Sequence, residues 1–385
     1  MSLSGPSKSG KTVLVERVVS RDLLIPISGA SIEKPQDVWT RVLDWMDTPE
    51  TVITIRSNEI TAGAEIEGKG SIGLPLVAKG EVGVSGHVGG TNTATSSEER
   101  SRRGLEQVLA EIGNSDFVVF LDFHYMPRDI QAEVAKTLKD GIRRGVKTVT
   151  ASVSHRGDDV LRANPELRGR VRAIDLQYWS KFELAEIAEV GFGALNARVG
   201  DSLVSRFTTE SAGSSQLMQS LCLQTCFVLN LRQVHDGMFP EVINPTDTHL
   251  NQILEQTSAS TDFRSLVDVL DNGPRTRGTE RKTYKFLQGG EGDVYTVILK
   301  AVAADPPQLA FKYDELLERA AKVCDGESPV GSSVITTCSQ MAKIAQEKFP
   351  KERTIDWDES KSVLDLPDPY LMFYLRWSGR LLNTR

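Results

Sequence analysis

The sequence predicts an α/β fold: a parallel-sheet core that carries a phosphate loop, followed by a largely helical second half. Three observations predict it. The eight residues Gly5-Pro6-Ser7-Lys8-Ser9-Gly10-Lys11-Thr12 match the glycine-rich phosphate-binding pattern position by position. The run Phe117-Val118-Val119-Phe120-Leu121 is apolar throughout and ends on Asp122, as expected of a strand buried on both faces with an acid at its carboxyl end. Around these two stretches, short apolar runs alternate with amphipathic helical patterns, the signature of βαβ units.

The loop comes first. Gly5 and Gly10 allow a turn tight enough to aim several backbone N–H groups at one anion. The pattern assigns Gly5, Pro6, Ser7, Lys8, Ser9, Gly10, Lys11, Thr12 and Val13 to nucleotide binding. Lys11 would reach the β- and γ-phosphates, and Thr12 would offer its hydroxyl to Mg²⁺. Val13, Leu14, Val15, Val18 and Val19 give the following helix an expected apolar face. Only Met1 to Ser4 precede Gly5, so the strand ahead of the loop is expected to be a stub or to begin in sequence before Met1.

Leu23 to Ile27 read as a short buried strand and Asp37 to Met46 as a helix. From Thr51 to Thr95 the chain is rich in Gly, Val, Thr and Ser with period-two alternation, which predicts a β-rich insertion over 51–97. Gly68, Gly70 and Gly73 within it spell a dinucleotide fingerprint, but Pro75 follows and no buried strand precedes, so that reading is rejected. Ser97 to Ile112 is expected to be helical, capped by Ser96 or Ser97 with Glu98 and Glu99 in its first turn.

Asp122 then stands where it would hold Mg²⁺ together with Thr12. Phe123 occupies the next position, where a second acid would activate water, so slow hydrolysis is expected. His124 either orients water or caps the strand end. A helix over Arg128 to Gly145 leads to a strand over Val146 to Val153 and to Ser154-His155-Arg156, where Ser154 is a candidate for positioning water. Arg168 and Arg170, ahead of a strand over Val171 to Leu176, are candidates for stabilising transition-state charge at a neighbour's site.

The totals bound the alternatives. A chain of 385 residues is expected to hold two or three domains. With 39 % hydrophobic and 25 % charged residues and a net charge of -7, it is not a protein that coats nucleic acid wholesale. No apolar run approaches the ~20 residues of a membrane span and no signal peptide precedes the loop, so a cytoplasmic location is expected. Cys222, Cys226, Cys324 and Cys338 lack zinc-type spacing and are expected to be buried free thiols.

The order of phosphate loop, Asp122 strand, polar strand end at Ser154 to Arg156, and Arg168 with Arg170 resembles the AAA+ and STAND branch of P-loop ATPases, in particular signal-transduction and origin-recognition-like members. The resemblance implies a core over 1–179, a helical lid over 180–231, a helical linker with a basic segment over 232–290, and a winged-helix domain over 291–385. Lys181 to Leu195 and Gln216 to Leu231 fit the lid helices, although no arginine follows Gly213 where such lids often carry a nucleotide-sensing one. Tyr295 to Ala303, Tyr313 to Val323 and Ser332 to Lys348, with a hairpin over Thr354 to Leu366, fit three helices and a wing. It further implies ATP or ADP with Mg²⁺ as cofactors, and a slowly hydrolysing switch that self-associates or acts on a signalling partner. The alternatives are a DNA-binding initiator or loader, using the winged helix or the basic segment Arg275, Arg277, Arg281, Lys282 and Lys285, and a non-hydrolysing scaffold stabilised by ATP.

Overall fold

The computed structural model describes residues 1–6, 9–46, 51–57, 93–99, 109–110, 112–123, 126, 128–153, 164–167, 169–275, 278, 280–350 and 352–383. Its first half is built on one parallel sheet. Strands β1 (Ser2–Ser4), β2 (Leu24–Ile27), β5 (Val118–Asp122), β6 (Lys147–Ala151) and β7 (Ala173–Asp175) lie in the order β2-β5-β6-β1-β7. All four pairings are parallel. This is an α/β core with a parallel central sheet. The stub ahead of the phosphate loop is therefore an interior strand, with Ser2, Leu3 and Ser4 all buried.

Period-two alternation puts the two faces of these strands into separate apolar layers. Ile25, Ile27, Val119 and Leu121 point one way, against Val38, Trp39 and Val42 of α2 (Asp37–Trp45) and Val134, Ala135 and Leu138 of α3 (Arg128–Arg143). Leu3, Leu24, Phe120 and Val149 point the other way, with Val15 of α1 (Lys11–Val18). Gly145, at φ 89°, ends the α3 region before β6.

Several sequence expectations are corrected. In α1 only Lys11 and Val15 are buried, while Val13, Leu14 and Val18 are exposed: an eight-residue helix lying on a sheet turns one narrow stripe inward. Ser97 to Glu99 do not start a helix. They close β4 (Thr93–Glu99), which pairs antiparallel with β3 (Thr51–Ser57) over seven residues, from Thr51↔Glu99 to Ser57↔Thr93. A continuous ladder of that length overrides the local capping signal. Helical residues are found at Leu109–Ala110 and Ile112–Gly113. The fingerprint glycines 68, 70 and 73 lie outside the described residues.

The second half begins with α4 (Lys181–Ala194), whose Ser180 and Glu183 form a reciprocal capping box. There follow β8 (Ala197–Val199), α5 (Asp201–Glu210), α6 (Ser215–Val228), β9 (Glu241–Ile243), α7 (Asp247–Ala259), α8 (Arg264–Asn272), β10 (Tyr284–Lys285) and β11 (Glu291–Gly292). The last part runs α9 (Val294–Ala303), β12 (Ala310–Lys312), α10 (Tyr313–Val323), α11 (Gly331–Lys348), β13 (Asp356–Asp358), β14 (Val363–Asp365) and α12 (Pro369–Trp377). β12, β14 and β13 form a three-stranded antiparallel sheet in that order. One apolar core, distinct from the two layers of the sheet, holds residues from Leu184 to Leu381. Its centre is α12, buried from Pro369 through Leu375, capped by Asp368 and started by a proline. Ile335 of α11 and Phe227 of α6 are exposed. Among the described residues no helix is long and apolar enough to cross a membrane, and all four cysteines are free.

A charged cluster ties this body together. Glu210, at the end of α5, has 0 % exposure. It accepts from Arg376 Nε at 2.9 Å and Nη2 at 3.1 Å, and from Trp377 Nε1 at 2.9 Å, with Arg206 3.2 Å away. Arg376 also donates to the Ala303 carbonyl at 2.6 Å and to Asp305 at 2.7 Å. Removing one partner leaves a carboxylate buried among too few donors. Arg376→Ala is therefore expected to lower unfolding stability by about 3 kcal/mol, read as a reduced urea midpoint at unchanged slope for the transition of the second half. A midpoint equal to that of the parent protein would contradict this account.

Candidate functional site

The site grows from the strand order. β1 lies between β6 and β7, so the chain leaves it toward one side of the sheet and later returns to its other side. The crevice at the carboxyl end of such a strand is where open α/β sheets bind ligands. The phosphate loop starts there. Gly10 takes the left-handed conformation at φ 87°, ψ 15° as the residue before α1, which has no side-chain cap and no acid in its first turn. Its first internal bond runs from Leu14 N–H to the Gly10 carbonyl at 2.8 Å. The N–H groups of Lys11, Thr12 and Val13 are thus without intrahelical partners at the positive end of the helix, which suits an anion. Ser9 Oγ is buried and has no hydrogen-bond partner among the described residues. A buried hydroxyl beside uncapped amides fits a phosphate group, the first test of the assignment read from the sequence.

Lys11 is 8 % exposed. Its ammonium donates to the carbonyls of Gly5 at 3.0 Å and Pro6 at 2.6 Å, so it bridges the opening of its own loop. Burial pushes its pKa down to about 8, opposed by the charge of Asp122. Asp122, at the end of β5, is shifted upward by burial and drawn back by Lys11. The structure therefore brings together the cation and the carboxylate that the sequence separates by about a hundred residues. Thr12 is exposed in the first turn of α1. Thr12 and Asp122 are an oxygen donor set of the kind a hard divalent cation takes.

Two further residues shape the site, and sequence reasoning missed them. Gly29, just after β2, lies against the backbone of Asp122: a Cβ there would stand 1.9 Å from the Asp122 carbonyl oxygen. Any side chain at position 29 would displace the end of β5. Asp175, at the end of β7, accepts from Ser4 Oγ at 2.5 Å and from Gln177 Nε2 at 2.8 Å, next to the start of the loop. The Gly29 signal was a glycine closing an apolar strand, Ile25-Pro26-Ile27-Ser28-Gly29. Asp175 carried none beyond its place at a strand end.

The other sequence candidates are placed as follows. Phe123 is fully buried in the core and faces no solvent. Arg170 is exposed in the turn ahead of β7, its N–H bonded to the Leu167 carbonyl at 3.0 Å. Ser7, Lys8, His124, Ser154 and Arg168 lie outside the described residues, as do His155, Arg156 and Arg277. Arg281, expected in an open basic segment, is used internally. It pairs with Asp293 at 2.5 Å, donates to the carbonyls of Asn272 and Pro274, and stacks 4.6 Å from the centre of the Tyr295 ring. Lys282 pairs with Glu327 at 2.6 Å.

No family model matches the chain, and no curated protein matches it. Solved structures similar to it include a Walker-type ATPase of Pyrococcus abyssi, at 11 % identity over 97 % of this chain and 90 % of that one, TM-score 0.49. Cdc6p from Pyrobaculum aerophilum is 12 % identical over 97 % and 86 %, TM-score 0.39. The RuvB Holliday junction branch migration motor of Thermotoga maritima is 13 % identical over 95 % and 83 %, TM-score 0.38. Likeness this distant carries no weight on activity or partners.

The position of Lys11 has a measurable sign. Its folded-state pKa of about 8 lies below the 10.5 of a free lysine side chain, so between those values the unfolded chain binds more protons and stability rises with pH. The burial penalty is full below pH 8 and is relieved as pH climbs. Lys11→Met removes it at every pH. In the ligand-free protein, the stability of this variant relative to wild type is expected to fall by about 2 kcal/mol between pH 8 and 9.5, measured by urea unfolding. A difference that stays flat with pH would show that Lys11 is not held in this buried place.

Proposed function

We propose that this protein is a nucleotide-binding switch, an AAA+-type P-loop ATPase that binds ATP with Mg²⁺ and couples its hydrolysis to rearrangement of the second half of the chain. The observation that carries the reading is the convergence at the end of β1: uncapped amides of α1, an orphaned Ser9 hydroxyl, and Lys11 opposed to Asp122. Phosphate oxygens would take the amides and the Lys11 ammonium in place of the Gly5 and Pro6 carbonyls. Thr12 and Asp122 would hold Mg²⁺, which supplies charge neutralisation to the β- and γ-phosphates. The reaction is attack of water on the γ-phosphate. Lys11 offsets the charge that develops on the transferred group, and the α1 amides hold the phosphates in line.

Turnover is slow in this reading, because the position after Asp122 is a buried phenylalanine that cannot take a proton from water. His124 and Ser154 are the residues proposed to orient that water, with Arg168 and Arg170 available to a neighbouring subunit. The helix–strand–helix–helix–hairpin order from α9 to β14 supports reading this part as a winged helix. Within AAA+-type proteins a STAND-like switch is favoured, since the winged-helix unit shares one apolar core with α4 to α8. The DNA-binding initiator is the second reading, resting on that same winged-helix order.

Purified protein is expected to release stoichiometric ADP on denaturation, identified by chromatography, and Lys11→Ala to release none. Added Mg-ADP at a hundredfold excess over Kd should stabilise the stripped wild type by about 2.7 kcal/mol and leave Lys11→Ala unmoved. An unshifted melting temperature in wild type would sink the nucleotide reading. Duplex DNA binding that falls steeply with salt, and is lost when Arg275 and Lys285 are neutralised, would turn the choice toward the initiator.

A further inference from the structure

The sheet body and the second body have separate apolar cores, and the chain passes from one to the other at Leu176–Trp179. That segment is gripped at both ends. At the first end the Leu176 N–H donates to the Ser4 carbonyl at 2.8 Å, extending the β1–β7 pairing to the lip of the phosphate loop. Gly5, the first residue of the loop, has φ +152° and presses on the same residue: a Cβ on Gly5 would stand 2.8 Å from both the Cβ and the carbonyl oxygen of Leu176. At the other end the Trp179 N–H donates to the Gly213 carbonyl at 3.1 Å. A Cβ on Gly213 would stand 2.7 Å from the Cβ of Tyr178. Gly213 belongs to the turn between α5 and α6, three residues after Glu210, and Glu210 is the carboxylate that clamps Arg376 and Trp377 of α12.

We infer that Leu176–Trp179 is a strut joining the phosphate loop to the second body, with Leu176 and Tyr178 as positioning residues, so that the shape of the loop and the orientation of that body change together. Contacts without room for a methyl group cannot slide; displacement at one end is passed to the other. The loop must alter around Gly5 and Pro6 when Lys11 leaves their carbonyls for phosphate. Leu176 follows Gly5, Tyr178 carries the turn at Gly213, and Glu210 carries α12 and the end of α9 with it. By linkage, a change confined to the far end must then alter nucleotide affinity, although it touches no phosphate. This inference rests on the proposed nucleotide binding.

The test uses the full chain stripped of nucleotide, with Mg-ADP as probe, and reads Kd by calorimetry and particle shape by small-angle X-ray scattering. ADP is expected to change the scattering of wild type. Gly213→Ala, which forces the joint at Tyr178, is expected to shift the Kd for ADP at least fivefold. Alanine at 213 also strains the turn itself, because Gly213 has φ +87°, so Tyr178→Gly combined with Gly213→Ala, which lifts the obstruction and keeps that strain, should bring the Kd at least halfway back to wild type on a logarithmic scale. Tyr178→Gly alone, a milder change should Gly213→Ala fail to fold, is expected to bind ADP while losing the scattering change. A folded Gly213→Ala with wild-type Kd, or a Tyr178→Gly that keeps the full scattering change, overturns the strut and leaves nucleotide binding intact. Failure of wild type itself to bind ADP overturns both.

Discussion

A buried ammonium, Lys11, and a half-buried carboxylate, Asp122, near enough for each to feel the other's charge beyond the ends of β1 and β5, set the terms for the rest of the molecule. Burial is the larger cause of the shift at Lys11 and at Asp122, and mutual attraction only partly offsets it. Such a pair is a poor source of stability by itself. An anion arriving with a divalent cation resolves the conflict, since each buried charge then gains a full partner. The fold meets that need with a parallel sheet whose inner strands are packed on both faces, which carries charged strand ends to one rim while the edge strand β7 stays exposed. β1 is wedged between β6 and β7, with Ser2, Leu3 and Ser4 all buried.

In the proposed switch the second body answers a different demand. A switch needs two arrangements of similar energy, and a ligand can shift between them only by its differential affinity. Separate apolar cores meet this condition, because neither body must unpack for the other to turn. Each is internally stiff. α12 is apolar all round and ion-paired at its end through Arg376, so the helices from α4 onward respond as a unit. Across the gap, Arg353 of the second body donates to the Met126 carbonyl at 3.4 Å, in the segment that follows Asp122.

How much of this the sequence disclosed follows from the range of each signal. The phosphate loop and the Asp122 strand were legible because their chemistry is written in contiguous residues. The buried helices of the last hundred residues were legible through their period. What failed were judgements that depend on neighbours distant in sequence. Ser96 to Glu99 carry a sound local cap signal, yet the partner strand at Thr51–Thr54 decides their state. Val13 and Val18 look like core residues until the helix is laid on a sheet that receives only Val15. Helix α5 escaped because Asp201 to Glu210 places a charged residue inside: Glu210 reads as a solvent position, and its burial depends on Arg376 and Trp377, far along the chain, as well as on Arg206 one turn away. Gly29, Gly5 and Gly213 were visible as glycines, but what each admits, the Asp122 carbonyl, Leu176 and Tyr178, becomes apparent only in three dimensions.

Charge decides what the face between α11 and the hairpin can meet. A cavity of about 500 Å³ is lined there by Ile335, Thr336, Ser339, Gln340, Trp357, Glu359 and Ser362. The side chains around it are neutral or acidic: Asp356, Asp358 and Glu359 crowd the hairpin against Lys361, and Lys343 stands 3.9 Å from Glu347. Affinity for a duplex is drawn mainly from cations placed on phosphates, and this face does not supply them. Among the described residues of the basic segment, Arg281 is committed to Asp293 and Lys282 to Glu327, which leaves Arg275 and Lys285 as its candidates for meeting phosphates. The arrangement is thus better matched to packing against protein than to reading a groove, which keeps the function of the C-terminal unit tied to the orientation of the body it belongs to.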